Sequence, residues 1–318
     1  MQRKLLMIGT SNTIKHDGFA AVLRGMAPPF AVQAVGLGGS PSALLPYMLS
    51  SADLAGVTHL AMDPADNGQI WQHGDGVSSL VLWHTVDWLR ARGIVPVLLI
   101  TPQTPIQDIA QAARAARLAE AKARGVPVVD GYQLVEDGVC PFDMLDTMHL
   151  GPALSGAMMK ALMSVVVNTA PGPFVQHPPS FAAPRFEAEG AEVIARQSSL
   201  RLQHYTLLRP GQLARFSLPA HGLMVGLSFN MLGSPVRVRI TSDEGERVEP
   251  LHRIPPQQDG RVLELIHKVA QLGVAVSGRH FALRVEDEDC IELEAAVCIF
   301  SAPGTESGLN TAAEAEAG

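Results

Sequence analysis

The sequence predicts an α/β fold: a flavodoxin-like five-stranded parallel sheet with flanking helices, followed by a small antiparallel β-sandwich. Three observations carry this reading. The first half alternates short, near-continuous apolar runs with helical stretches, the pattern of parallel strands covered on both faces. A Pro-rich stretch, "NTAPGPFVQHPPSFAAP" at 168–184, then interrupts the chain. Beyond it the period changes to the apolar–polar alternation of strands with one wet face.

Taken in order, the strands are expected at 4–8, 30–35, 57–62, 94–100 and 126–130. Helices are expected between them at 18–26, 42–49, 77–92 and 106–124. The third is flanked by Gly76 and Gly93, and the fourth ends in "KARGVP", a basic last turn followed by Gly and then Pro. A last helix, at about 153–167, closes the sheet. In the second half, "VRVRI" (236–240), "FALRVE" (281–286) and "IELEAAV" (291–297) alternate, and turn strings such as "RPGQ" and "DEGE" separate them. The organisation expected is an α/β domain at 1–170, a Pro-rich linker at 171–184, a β-sandwich at 185–302 and a disordered, apolar-poor tail at 303–318.

Composition narrows the classes of function. The chain has 318 residues, long enough for two cores, and 24 Lys and Arg against 31 Asp and Glu. A net charge of -7 with no basic block argues against a nucleic-acid surface. Only Leu5 to Ile8 are apolar before Gly9, too short for the core of a signal peptide, and no continuous apolar stretch is long enough for a membrane span. Cys140, Cys290 and Cys298 have no metal-finger spacing. The last two, on one extended segment, would lie roughly 26 Å apart, beyond the reach of a disulfide. A cytoplasmic location is expected, with no cofactor and no metal; a homo-oligomer is left open.

In an open parallel sheet, ligands bind outside the carboxyl ends of the strands. Four stretches fall there: "GTSN" at 9–12, "GLGGSPS" at 36–42, "DPADNG" at 63–68 and "DTMHLG" at 146–151. A serine hydroxyl is a poor nucleophile until a base takes its proton, and the base needs a third group to orient it. Asp146 and His149, three residues apart, can face one way in a turn entering a helix. Ser11, at a strand–helix turn, places its own N–H toward the cleft. Gly39 allows close backbone approach and Asn67 supplies an amide, so the three are candidate donors to an oxyanion.

The same set resembles the four sequence blocks of the SGNH (GDSL-like) hydrolase superfamily over residues 1–168. There a Ser follows strand one, a Gly strand two and an Asn strand three, and an Asp-x-x-His precedes the last helix. The resemblance implies Ser11 as nucleophile, His149 as general base and then acid, and Asp146 as its orienter. It implies an oxyanion hole of the Ser11 and Gly39 N–H groups and the Asn67 side chain. Two departures stand out. Gly-Asp-Ser is Gly9-Thr10-Ser11 here, and the third block, usually Gly-x-Asn-Asp, is Ala65-Asp66-Asn67. Asn67 is taken because only an amide donates at neutral pH, with Asp66 as the alternative.

The resemblance implies a serine esterase acting on short acyl, above all acetyl, esters of a carbohydrate or related small molecule, through an acyl-enzyme. The β-sandwich is similar to accessory domains that hold glycans. An O-acyltransferase acting on a polysaccharide precursor would use the same residues. The rival from another class is a catalytically decayed glycan-binding or assembly protein. One distance separates enzyme from binding protein: Ser11 to His149 at about 2.6–3.2 Å for the first, beyond roughly 6 Å for the second. Other polar residues are assigned less: His16, His59, His73 and His84 have no spacing partner, and His84 is read as a core or boundary residue. Trp83 and Trp88 are read as helix packing, with Trp71 set beside them as a pocket candidate. Asp63 is read as capping its turn and Asp130 as structural.

Overall fold

The computed structural model describes residues 3–64, 75–104, 108–172, 180–197, 202–258, 261–262 and 265–300. Its first half runs β1 (Lys4–Gly9), α1 (Ser11–Ile14), α2 (Phe19–Gly25), β2 (Ala31–Gly36), α3 (Leu44–Leu49), β3 (His59–Asp63), α4 (Asp75–Ala91), β4 (Val95–Ile100), α5 (Asp108–Ala123), β5 (Val128–Asp130), α6 (Gly131–Glu136) and α7 (Pro152–Asn168). The five strands are parallel, in the order β2-β1-β3-β4-β5, which is the flavodoxin-like order expected. That order reverses between β1 and β3, so the crevice forms at their carboxyl ends. The backbone there is tied directly, with the Thr10 N–H donating to the Asp63 carbonyl at 3.1 Å.

Alternate residues of β1 enter two cores. Leu6 and Ile8 face a cluster with Leu44, Leu82, Trp83 and Leu98 from α3, α4 and β4. Leu5 and Met7 face the other side, with Phe19, Leu23, Leu154 and Met158 of α2 and α7. Strand β2 departs from the double-covered pattern. It is an edge strand, its residues alternate between exposed and half-buried, and Val35 is 37% exposed. Two short helices, α1 and α6, were not expected from periodicity. Asp130 caps α6 through the Tyr132 N–H at 3.0 Å and pairs with Arg114 at 2.8 Å, the structural role anticipated for it.

The second half contributes β6 (Ser180–Ala182), β7 (Glu187–Ala188), β8 (Glu192–Gln197), β9 (Leu202–Leu208), β10 (Leu213–Asn230), β11 (Val236–Ser242), β12 (Glu246–Leu251), β13 (Gln257–Gln258), β14 (Arg261–Val262), β15 (His267–Val285) and β16 (Ile291–Phe300). The β-rich part is one nine-stranded sheet in the order β12-β11-β15-β10-β16-β9-β8, with β6 on β16 and β7 on β10; β13 and β14 pair only with each other. The large sheet is antiparallel and curls round its own core of Phe216, Phe229, Val238, Leu283 and Leu293. The curl comes from β10 and β15, whose pairing slips between Ser217 and Gly222 and again between Met224 and Gly226, as bulges bend and twist a strand.

The two halves share a core. Leu223, Val225, Val269, Val297 and Ile299 of the β sheet join the α3–α4 cluster of the parallel sheet. Trp83 and Trp88 are 4% and 5% exposed and pack there, with Phe181 of β6 at 4.8 Å from the Trp88 ring. His84 beside them is buried against Phe181, and burial lowers its pKa to about 4, which keeps it neutral. Among the described residues, no helix is long and apolar enough to cross a membrane. The expected tail at 303–318, and most of the Pro-rich stretch (173–179), lie outside the described residues.

Candidate active site

Strand β1 ends at Gly9 because nothing larger fits: a Cβ there would meet Thr13 Oγ1 at 2.2 Å and Asp63 Cβ at 2.7 Å. Thr10 then takes an extended conformation and α1 begins at Ser11. As the first residue of a helix, Ser11 has an N–H that the helix geometry leaves unpaired, and its side chain is half-buried at the crevice. Beneath the turn lies Asp63, 1% exposed, accepting hydrogen bonds from Thr101 Oγ1 at 2.6 Å, Thr13 Oγ1 at 2.8 Å and Thr10 Oγ1 at 3.2 Å. Its carboxylate ties the Ser11 turn to β3 and to the end of β4, a larger role than the turn cap expected.

Burial pushes the Asp63 carboxyl up to about 6, against the pull of the three hydroxyls. The folded protein therefore holds this proton more tightly than the unfolded chain. The resulting stability is full below the ordinary value of 3.8 and is lost as pH rises through about 6. That displacement corresponds to roughly 3 kcal/mol. Urea unfolding at pH 4 and at pH 7.5 should show Asp63→Asn gaining about that much on the wild type as pH rises. A gap that stays constant between the two pH values would contradict this sign.

Asp146 and His149 come from the loop that leads into α7. Asp146 Oδ1 accepts the Met148 and His149 N–H groups, both at 2.8 Å, and Oδ2 lies 2.6 Å from His149 Nδ1. These bonds, first among them the one from the His149 ring, hold the Asp146 carboxyl down at about 2. A carboxylate only accepts, so the proton of the neutral imidazole sits on Nδ1. Nε2 is then free to accept, and Ser11 Oγ lies 2.9 Å from it. The serine hydroxyl, imidazole and carboxylate thus form one continuous chain of hydrogen bonds.

Asn12, the residue after the serine, was not singled out from the sequence. It is 5% exposed, donates from Nδ2 to the Met148 carbonyl at 2.9 Å and accepts the Leu150 N–H on Oδ1 at 3.2 Å. The two bonds straddle His149 and clamp its backbone to α1. Asn12→Ala leaves both backbone groups short of a partner, at a cost of about 2–3 kcal/mol. It should lower kcat on the order of 10-fold to 100-fold by loosening the Ser11–His149 distance, with little change in KM. Steady-state kinetics on a chromogenic ester would read both parameters.

The loop after β2 completes the described part of the site. Leu37 N–H donates to the Gly9 carbonyl at 3.2 Å, and a Cβ on Gly38 would lie 4.0 Å from Ser11 Cβ. Gly39 has φ +60°, a conformation that favours glycine. The structure therefore brings Ser11, Asp146 and His149 together, with the Gly38–Gly39 loop against the serine. Asn67 and its alternative Asp66 lie outside the described residues, as do Trp71 and His73. His16 is exposed beside Asp17, and His59 is fully buried between Thr58 and the Thr169 carbonyl, both away from this chain of groups.

No protein-family model matches the chain, and no curated protein sequence does. Among solved structures, it is similar to a two-domain esterase active on acetylated mannans, co-crystallized with mannopentaose. That likeness covers 95% of this chain and 90% of the other at 12% identity, with a TM-score of 0.56. A lipolytic protein of the G-D-S-L family from Desulfitobacterium hafniense matches over 51% of this chain and 98% of that one, at 18% identity and a TM-score of 0.45. One from Veillonella parvula matches over 52% and 100%, at 13% identity and a TM-score of 0.44. The likeness to the two-domain esterase is one of fold, over both halves of the chain.

Proposed function

We propose that the protein is a serine esterase that removes short acyl groups, acetyl foremost, from a carbohydrate ester through an acyl-enzyme. The observation that carries this is the hydrogen-bonded chain from Ser11 through His149 to Asp146 at the carboxyl edge of the sheet. A Ser11–His149 distance of 2.9 Å supports the enzyme reading over that of a decayed binding protein. The carbohydrate side rests on likeness in fold, over nearly the whole chain, to the esterase active on acetylated mannans.

In this reading, Ser11 Oγ attacks the ester carbonyl as His149 Nε2 takes its proton, and ionised Asp146 stabilises the imidazolium. The developing oxyanion is assigned to the N–H groups of Ser11 and Gly39, with Asn67 kept as the third donor on the sequence resemblance alone and Asp66 as its alternative. His149 returns the proton to the departing alcohol, and a water activated by the same imidazole releases the acid. The test is hydrolysis of p-nitrophenyl acetate by the wild type and by Ser11→Ala. Loss of activity in the variant is expected; activity that survives it overturns the assignment.

A further inference from the structure

Large hydrophobic side chains stand exposed at few places in the α/β half, and most of those described fall in one short stretch. Val139 is 62% exposed, Phe142 39% and Leu145 58%; outside the stretch only Val35 and Val167 are comparable among the described residues of that half. The stretch leads directly into Asp146. Single exposed apolar residues are ordinary, whereas clustered ones mark a contact surface. Leu145 is the one that backbone pairing places. Its N–H donates to the His149 carbonyl and the Gly151 N–H to the Asp143 carbonyl, both at 2.8 Å, with Met144 paired to Leu150 between them. Met144 and Leu150 pack into the core beside α2 and α7. Side chains alternate across such a pairing, so Leu145 and His149, opposite each other one step nearer the turn, share the other face. The segment is pinned at both ends. Asp143 Oδ2 accepts the Ala153 N–H of α7 at 2.8 Å, and the Thr104 N–H donates to the Thr147 carbonyl at 2.9 Å. The exposed leucine therefore belongs to a fixed surface beside the imidazole.

We propose that Leu145 is a specificity-determining residue of the ester site, packing against the C–H surface of the alcohol half of the substrate. The inference rests on the esterase reading above and concerns the leaving group alone. The placement follows from His149. Its Nε2 hands a proton to the departing alcohol oxygen, so that oxygen must come within hydrogen-bond reach of the ring. The carbon that bears the oxygen then lies among the ring's neighbours, and on the exposed face of the hairpin that neighbour is Leu145. The acyl carbon is held elsewhere, at Ser11 Oγ and the oxyanion donors. An alcohol with only charged or hydrated groups gains nothing from an exposed leucine, whereas C–H surface gains by leaving water. That surface is the ring face of a sugar or an alkyl chain, and the test separates the two.

At 58% exposure Leu145 contributes little to the core, so Leu145→Ser and Leu145→Met should both fold. The experiment measures kcat/KM for the wild type and both variants on methyl acetate, hexyl acetate and the methyl mono-O-acetyl glucosides. Each value is taken as a ratio to methyl acetate, which lacks the surface in question. In Leu145→Ser the ratio should fall about fivefold to tenfold, through KM, for hexyl acetate, for a glucoside or for both. Leu145→Met, which restores apolar surface, should stay within twofold of the wild type. A fall for hexyl acetate alone assigns a chain, and for a glucoside alone a ring. Unchanged ratios, or equal losses on every substrate as a disturbed hairpin would give, overturn the proposal. So does a loss that follows the acyl half, read as methyl hexanoate against methyl acetate, and not the alcohol half. A wild type that cleaves p-nitrophenyl acetate but none of the alkyl or glycosyl acetates overturns it while the esterase reading stands. A wild type that cleaves none of these esters ends the esterase reading and the proposal with it.

Discussion

Ser11→Ala is expected to lower kcat on p-nitrophenyl acetate on the order of 10⁶-fold, or about 8 kcal/mol of transition-state stabilisation. The variant removes the only atom that can form the acyl-enzyme, while the oxyanion donors stay and leave residual catalysis. His149→Ala should cost a similar factor, because an unassisted hydroxyl barely attacks. The double variant should be no worse than either single one, since the two side chains act in one proton transfer and their losses do not add. Asp146→Asn makes a sharper test. Its amide can donate to Nδ1, which moves the ring proton to Nε2 and removes the acceptor that lies 2.9 Å from Ser11. A double variant whose loss is the product of the single losses would mean that Ser11 and His149 act separately, and the mechanism above would fall.

The edge that carries the candidate site was legible because a parallel sheet binds its ligands where apolar runs stop. Gly9 ends β1 at Ser11, Gly36 ends β2 near Gly39, and the Asp146–His149 spacing lies within one turn. The support beneath the edge was not legible. Asn12 holds residues more than a hundred positions away, and no local pattern marks such a partner. Asp63 reads as a turn residue until the fold shows that its hydroxyl partners include Thr101, just past the end of β4. In the β sheet, alternation was visible in β11, where residues at 236, 238 and 240 are buried and Arg237 is exposed. It vanished in the second half of β10, which is buried at every residue from 222 to 230, because α3 and α4 cover one face there and the sheet's own core covers the other. A strand buried on both faces carries no period-2 signal, so the seam between the two halves could not be found from pattern alone.

That seam also carries the largest stability effect we expect. Glu294 of β16 is 9% exposed and accepts hydrogen bonds from Tyr47 Oη of α3 at 2.6 Å, Ser228 Oγ at 2.6 Å and Gln203 Nε2 at 2.9 Å. His267 lies 3.5 Å away and also contacts Tyr205 Oη at 2.6 Å. Glu294→Leu fills the space but strips an acceptor from three buried donors, which should cost about 3–5 kcal/mol. In a chain of this size, that lowers Tm by roughly 6–15 °C. Tyr47→Phe removes one donor and should cost about 1–2 kcal/mol. Because Tyr47 and Glu294 share one bond, the double variant should lose less than the sum of the two. Glu294→Gln keeps one acceptor oxygen but sets an N–H against donor hydroxyls, so it should fall between wild type and Glu294→Leu. A Glu294→Leu protein that melts within 2 °C of the wild type would mean that the halves are held by the apolar cluster alone. Strict additivity with Tyr47→Phe would mean that the tyrosine draws its stability from His267 rather than from the carboxylate.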